Sequence, residues 1–178
     1  ASYQVKKPYQ SMVRRKIMKP ALHLMCGMAG SGKTTLAKKI EAAQSAVRFS
    51  PDEWIEKLLS DITDREENER LRVIVEAIQW ETAQRLLSLG TNIILENGFW
   101  GRSEREMYRD RARALGARVE LHFLDLSDDE LWQRIEKRNG DLPARSFQIT
   151  RVDLAEWMTW FQKPDEAELK TYDNRPLA

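Results

Sequence analysis

Apolar residues along the chain follow two rhythms. Short unbroken apolar runs, from Leu22 to Cys26, Val47 to Phe49, Asn92 to Glu96 and Val119 to Leu124, are strand-sized. Between them lie longer stretches in which apolar residues recur at spacings of three and four, as at Leu71, Ile74, Val75 and Ile78. That spacing predicts helices with one buried stripe. Four capping-box patterns mark helix starts: Ser50 with Glu53, Thr63 with Glu66, Ser103 with Glu106 and Ser127 with Glu130. Strand and helix alternating at this rhythm predict an α/β chain, a parallel sheet covered by helices on both faces. The tail from Pro164 onward is polar and offers no convincing fifth strand, so four to five strands are expected.

Composition narrows the class. The chain has 178 residues, 42% of them hydrophobic and 32% charged, enough for the core of one soluble domain. The apolar runs fall far short of a membrane span. The run "ALHLMC" is also too short for the core of a secretory signal. The single cysteine, Cys26, forms no internal disulfide, which fits a reducing cytosol, and a cytoplasmic location is expected.

Charge is unevenly spread. Lys6, Lys7, Arg14, Arg15, Lys16 and Lys19 give the first twenty residues +6 with no acid. With a net charge of +1 overall, the other 158 residues sum to −5. Residues 1–20 therefore read as a basic arm, ahead of one domain over 21–178. An RNA-binding tail, a docking segment and an appended expression tail all fit the arm, and the last is the plainest. An acidic body does not advertise a broad nucleic-acid surface.

The strongest motif is "GMAGSGKTT": Gly27, Met28, Ala29, Gly30, Ser31, Gly32, Lys33, Thr34 and Thr35. It matches the P-loop (Walker A) pattern in full and lies between an apolar strand and a helix expected from Thr34 to about Ala43. The three glycines let the backbone turn its N–H groups toward phosphate oxygens. The helix that follows offers its positive end to the same charge. Lys33 is placed for the β and γ phosphates of a nucleotide, and the Thr34 hydroxyl for Mg²⁺.

Three acids follow later strands. Asp52, in "FSPDEW", is left over once the capping box takes Glu53, and it suits a general base for an acceptor hydroxyl. Glu96 closes the apolar run "NIILE" as a Walker B acid does, which makes it a Mg²⁺ candidate. Asp125 precedes a capping box and reads as a turn residue. In "GFWGRSER", Asn97 and Arg102 are candidates for touching an acceptor, and Phe99 and Trp100 for walling a pocket.

Arg134 and Arg138 are four apart and share a helix face. A stretch with Gly and Pro, 139–150, follows and carries Arg145, with Arg151 just beyond. Arginines on a closing lid stabilise charge on a moving phosphoryl group, a role expected of Arg138 and Arg145. Most of the six tryptophans are expected in the core, with Trp157 and Trp160 on one buried face. His23 and His122 lie within strands, lack metal-site spacing and read as packing residues.

A GTPase switch would need a guanine-reading Asn-Lys-x-Asp, which this chain lacks. A motor or transporter ATPase has a longer domain. A P-loop, an acid after the second strand and an arginine lid together suit a small kinase. The stretches "LHLMCGMAGSGKTTLAKKI", "FSPDEW", "NIILENGFWGRSERE" and "DLSDDELWQRIEKRN" resemble a branch of P-loop kinases. That branch includes chloramphenicol phosphotransferase, zeta toxins and polynucleotide 5′-hydroxyl kinase domains, and it is commonly labelled an ATP-binding AAA-type domain. The resemblance runs from about residue 21 to 170.

It implies a three-layer P-loop kinase fold, with a twisted parallel sheet, helices on both faces and a helical lid. It also implies ATP, Mg²⁺ and transfer of the γ-phosphate to an alcohol. The family's base falls on Asp52, its strand-end acid on Glu96, and its lid arginines on Arg138 and Arg145. The expected acceptor is a small molecule such as an antibiotic, sugar or metabolite. A polynucleotide 5′-hydroxyl end is the alternative, and a regulatory ATPase acting on a protein partner is the alternative outside the kinase class.

Overall fold

A computed structural model describes residues 19–59, 64–141 and 147–174. The basic arm up to residue 18, Thr63 and Arg145 lie outside the described residues. The elements in order are β1 (Ala21–Cys26), α1 (Lys33–Gln44), β2 (Val47–Phe49), α2 (Pro51–Leu58), α3 (Arg65–Ser88), β3 (Ile93–Gly98), α4 (Arg102–Ala114), β4 (Arg118–Phe123), α5 (Asp128–Asp141), α6 (Arg151–Trp160) and α7 (Glu166–Leu169).

All four strands are parallel, in the order β2-β3-β1-β4. Strands buried on both faces read as continuous apolar runs because every residue meets a core. Leu22, Leu24, Cys26, Ile93, Leu95, Val119 and Leu121 point to one face, where Trp80, Ala83 and Leu87 of α3 and Tyr108 and Ala112 of α4 cover them. Met25 and Ile94 point to the other face, against Ala37 and Ile40 of α1. A third cluster joins Met28 to Leu131 and Ile135 of α5 and Leu154 of α6, so these helices pack directly over the turn after β1.

The chain runs from β1 to β2 past β3, and from β3 to β4 past β1. The sheet order therefore switches direction between β1 and β3, and the crevice at their carboxyl ends is the usual ligand position in such sheets.

No fifth strand is found among the described residues. Its place at the β4 edge is taken by the Asp173 backbone N–H and the Asp173 and Asn174 side chains, which imitate one. Asp173 N–H donates to Val119 O at 2.7 Å, and Val119 N–H donates to the Asp173 carboxylate at 2.8 Å. The Asn174 amide accepts from Leu121 N–H at 3.0 Å and donates to Leu121 O at 2.9 Å. The tail thus closes an edge that would otherwise invite pairing with another chain.

Several local signals resolve differently from their sequence patterns. Of the three expected capping boxes whose residues are described, Ser127 and Glu130 form theirs, with Glu130 accepting from Ser127 N–H at 3.0 Å and Oγ at 2.8 Å. Ser50 stands at the N-cap of α2 without a side-chain bond, and the Glu53 carboxylate turns to Arg48 at 2.9 and 3.0 Å instead of back to Ser50 N–H. Asp64 caps α3 through Glu67 N–H, and Ser103 lies inside α4, whose N-cap is Gly101. The buried row of α3 is Val75, Gln79, Ala83 and Leu87, at every fourth residue, while Ile74 and Ile78 are 44% and 49% exposed. Trp157 packs against Trp100 with ring centroids 5.8 Å apart, but Trp160 faces solvent.

Both histidines are buried on the α1 face of the sheet. Burial lowers each imidazole to about 4, so both rings are neutral near pH 7.

Candidate active site

The loop after β1 adopts the backbone its glycines permit. Gly27, Gly30 and Gly32 have φ of +148°, +78° and +99°. Gly27 also has no room for a side chain, since a Cβ there would sit 2.9 Å from Leu124 O. The helix that follows begins without a side-chain cap and without an acid in its first turn. By contrast, α3, α6 and α7 begin with Asp64, Thr150 and Asp165 capping their first turns. The uncapped N-terminus of α1 is therefore suited to an anion.

Lys33 curls back over this loop, donating to Gly27 O at 2.9 Å and Met28 O at 2.8 Å. Burial lowers its pKa to about 8, partly offset by the negative charges of Asp52 and Glu96, with Arg138 adding to the decrease. No ion pair to Lys33 is found among the described residues. A half-buried cation at an uncapped helix start, with the Ser31 hydroxyl buried and unpartnered beside it, fits the triphosphate of a nucleotide.

Thr34 Oγ1 donates to Glu96 Oε2 at 2.7 Å. This bond joins the first turn of α1 to the end of β3, the two positions from which P-loop proteins hold Mg²⁺. The hydroxyl and carboxylate are hard oxygen donors, as that ion requires. Glu96 has a second partner the sequence reading missed, Arg48 of β2, at 2.5 Å. Arg48 and Glu96 lie on the same sheet face because Arg48 registers with Ile94, two residues before Glu96. Arg48 also binds Glu41 and Glu53, which makes it the hub of an acidic cluster. A charged residue inside a three-residue strand was the available signal.

Asp52 occupies the first turn of α2, largely exposed, and pairs with Arg72 of α3. Arg72 also reaches Glu76 at 3.5 Å. Burial raises Glu76 to about 7, with Arg72 opposing the rise and Glu104 adding to it. Glu104 itself is raised, again chiefly by burial. Asp52 thus stands beside one arginine and two carboxyls that burial inclines toward the protonated form. Asn97, from the end of β3, has a buried side-chain oxygen with no partner.

The remaining candidates divide into those near the loop and those tied elsewhere. Arg134 Nη1 donates to Ser31 O at 3.4 Å, while Arg138, one turn on, is exposed and close enough for its charge to act on Lys33. Asn139 donates to Ile149 O at 2.7 Å and so ties the end of α5 to the start of α6. Arg151 pairs with Asp129 and lies over the Trp132 ring. Arg102 binds Glu106 and Asp165. Phe99 is fully buried in the main core, whereas Trp100 Nε1 donates to Gly27 O at 3.3 Å and buttresses the loop. Asp125 pairs with Lys163 beside a cavity of 470 Å³ lined by Met28, Leu131 and Phe161.

Comparison with known proteins places this arrangement. The AAA domain family model matches residues 22–164. The chain belongs to that family. No curated protein matches it. Among solved structures it is similar to a candidate kinase from Chloroflexus aurantiacus, with 24% identity, TM-score 0.66, and coverage of 78% of this chain and 77% of that one. It is also similar to a chain of the Pnkp1/Rnl/Hen1 RNA repair complex, with 21% identity, TM-score 0.63, and coverage of 89% of this chain and 48% of that one. A gluconokinase from Sinorhizobium meliloti gives 17% identity, TM-score 0.58, and coverage of 83% and 78%. This AAA-family chain thus has the P-loop kinase fold.

Proposed function

We propose that the chain is an ATP-dependent kinase that transfers the γ-phosphate to a hydroxyl of a small molecule. The observation that carries this reading is the convergence of Lys33, the Thr34–Glu96 pair and Asp52 at the carboxyl ends of adjacent strands. In this reading the uncapped start of α1 and the loop from Gly27 to Thr35 hold the phosphates, and Lys33 swings from its carbonyls onto the terminal ones. The cavity beside Met28 and Leu131 is the place for the nucleoside. Thr34 and Glu96 would hold Mg²⁺, which supplies charge neutralisation across the phosphates when bound. Asp52 orients the acceptor hydroxyl and takes its proton as the new P–O bond forms, and the bond to the β-phosphate oxygen breaks to release ADP. Arg138, on α5, and Arg145 would stabilise charge on the transferred group. The protein would act in the cytoplasm as one domain over 21–178.

The acidic body of the chain, which sums to −5 outside the first twenty residues, supports a small hydroxyl compound over a polynucleotide end. A phosphate backbone laid there would meet like charge. The likeness to a chain of an RNA repair complex favours the polynucleotide as second reading.

ADP release from Mg·ATP tests the proposal, measured without acceptor, with a 5′-hydroxyl oligonucleotide, and with pools of sugars, antibiotics and other small alcohols. Stimulation by a small-alcohol pool is expected. Stimulation by the oligonucleotide alone would replace the first reading with the second, and an equal slow rate in every tube would favour a regulatory ATPase.

A further inference from the structure

The kinase reading leaves one cluster of ligating side chains unused. His23 of β1 registers with Glu120 of β4, and His122 lies two residues further along the same strand, so all three side chains share the α1 face of the sheet. His23 Nδ1 and His122 Nε2 are 2.9 Å apart, and the Glu120 carboxylate oxygen Oε2 is 3.5 Å from the first and 3.6 Å from the second. All three residues are buried. Bonds of about 2.0–2.1 Å to a tetrahedral ion put its donor atoms about 3.3–3.4 Å apart. The three observed separations bracket that edge.

We infer that His23, Glu120 and His122 form a binding site for a zinc-class divalent cation, separate from the Thr34–Glu96 pair.

The surroundings suit such an ion. His23 Nε2 meets the Gln44 side-chain oxygen at 3.1 Å. An amide oxygen only accepts, so the His23 proton sits on Nε2 and Nδ1 turns its lone pair toward the centre, the arrangement that orients metal-ligating histidines. Without an ion, His122 Nε2–H donates to that lone pair. With one, the His122 ring takes its other tautomer and Nε2 becomes a ligand, so the ring stays neutral. Arg118 holds the other Glu120 oxygen, which fixes the carboxylate while leaving Oε2 to the ion. His122 lines a surface cavity of 270 Å³, so the cluster borders the surface at this residue.

The donor set also separates the two sites by chemistry. Two imidazoles and a carboxylate suit zinc and its neighbours, whereas hydroxyl and carboxylate oxygens suit Mg²⁺. Because His23 lies four residues before Gly27 on the strand that feeds the loop, an ion here would pin β1 to β4 beneath the candidate active site.

His23 and His122 are the chain's two histidines, which makes the test direct. Tag-free protein is stripped with chelator, titrated with Co²⁺ without nucleotide, and followed by visible absorption. One equivalent is expected to produce the intense bands of a four-coordinate ion. Zn²⁺ should displace them, and a large excess of Mg²⁺ should not. His122→Asn should abolish the bands while nucleotide binding persists. Gln44→Leu, at a partly exposed position, should weaken Zn²⁺ by about 10-fold in protein that still binds nucleotide. Only the weak bands of an octahedral oxygen site in the wild-type protein would overturn the inference, as would intense bands that survive His122→Asn. If that variant does not fold, an unaltered Zn²⁺ affinity in Gln44→Leu would overturn the tautomer argument on which the site rests.

Discussion

Thr34 Oγ1 and Glu96 Oε2 lie 2.7 Å apart although 62 residues separate them in sequence. Neither residue is unusual alone. Their meeting is a consequence of β1 and β3 being adjacent and parallel, so that the loop after one strand and the acid ending the other face a common point.

If that pair holds Mg²⁺, Glu96→Gln should raise the Mg²⁺ needed for half-maximal ADP release by about 10-fold or more, in the range usual for lost metal partners. Arg48 would keep Glu41 and Glu53, so the strand ends should stay in place. An unchanged Mg²⁺ titration would reduce Glu96 to a structural partner of Arg48.

Arg105 is fully buried and fully engaged. It meets Glu168 at 2.6 and 2.8 Å and donates to Phe99 O and Trp100 O at 2.9 and 3.1 Å. It thereby fixes the corner from which Trp100 reaches the loop at Gly27. Glu168→Gln leaves a buried guanidinium without its counter-charge, and a loss of about 3–5 kcal/mol is expected in chemical unfolding. A loss under about 1 kcal/mol would mean the pair is not a keystone of this corner.

Glu76 predicts a pH signature. Its folded pKa is raised by burial to about 7 from the model-peptide value of 4.5. The folded state therefore binds the proton more tightly than the unfolded chain. That contribution is fully present below pH 4.5 and is lost as pH rises through about 7. Relative to wild type, Glu76→Gln should gain thermal stability progressively between pH 5 and pH 8. A difference that is flat across this window would contradict the shift.

Much of the fold was legible because its signals are contiguous. Buried parallel strands are unbroken apolar runs, and all four appear within two residues of their expected ends. The P-loop is likewise a single run. The helix starts were less legible, because Arg48 competes for Glu53 and α4 begins one residue before Ser103, with Gly101 as its N-cap. What the sequence hid was pairing across distance. Arg48 with Glu96, Arg134 with Ser31, the edge made by Asp173 and Asn174, and His23 with His122 each join segments 48 to 103 residues apart. No local spacing encodes them; the order of strands in the sheet does.

The most direct measurement sets Asp52→Asn beside wild type in two assays, nucleotide affinity and acceptor-dependent ADP release. Asp52 is exposed on α2 and outside the loop that would hold the phosphates, so affinity should be unchanged. Loss of a positioned base should lower the acceptor-dependent rate by about 100-fold or more. A variant that binds nucleotide and still turns over at the wild-type rate would contradict the assignment of Asp52 as the base.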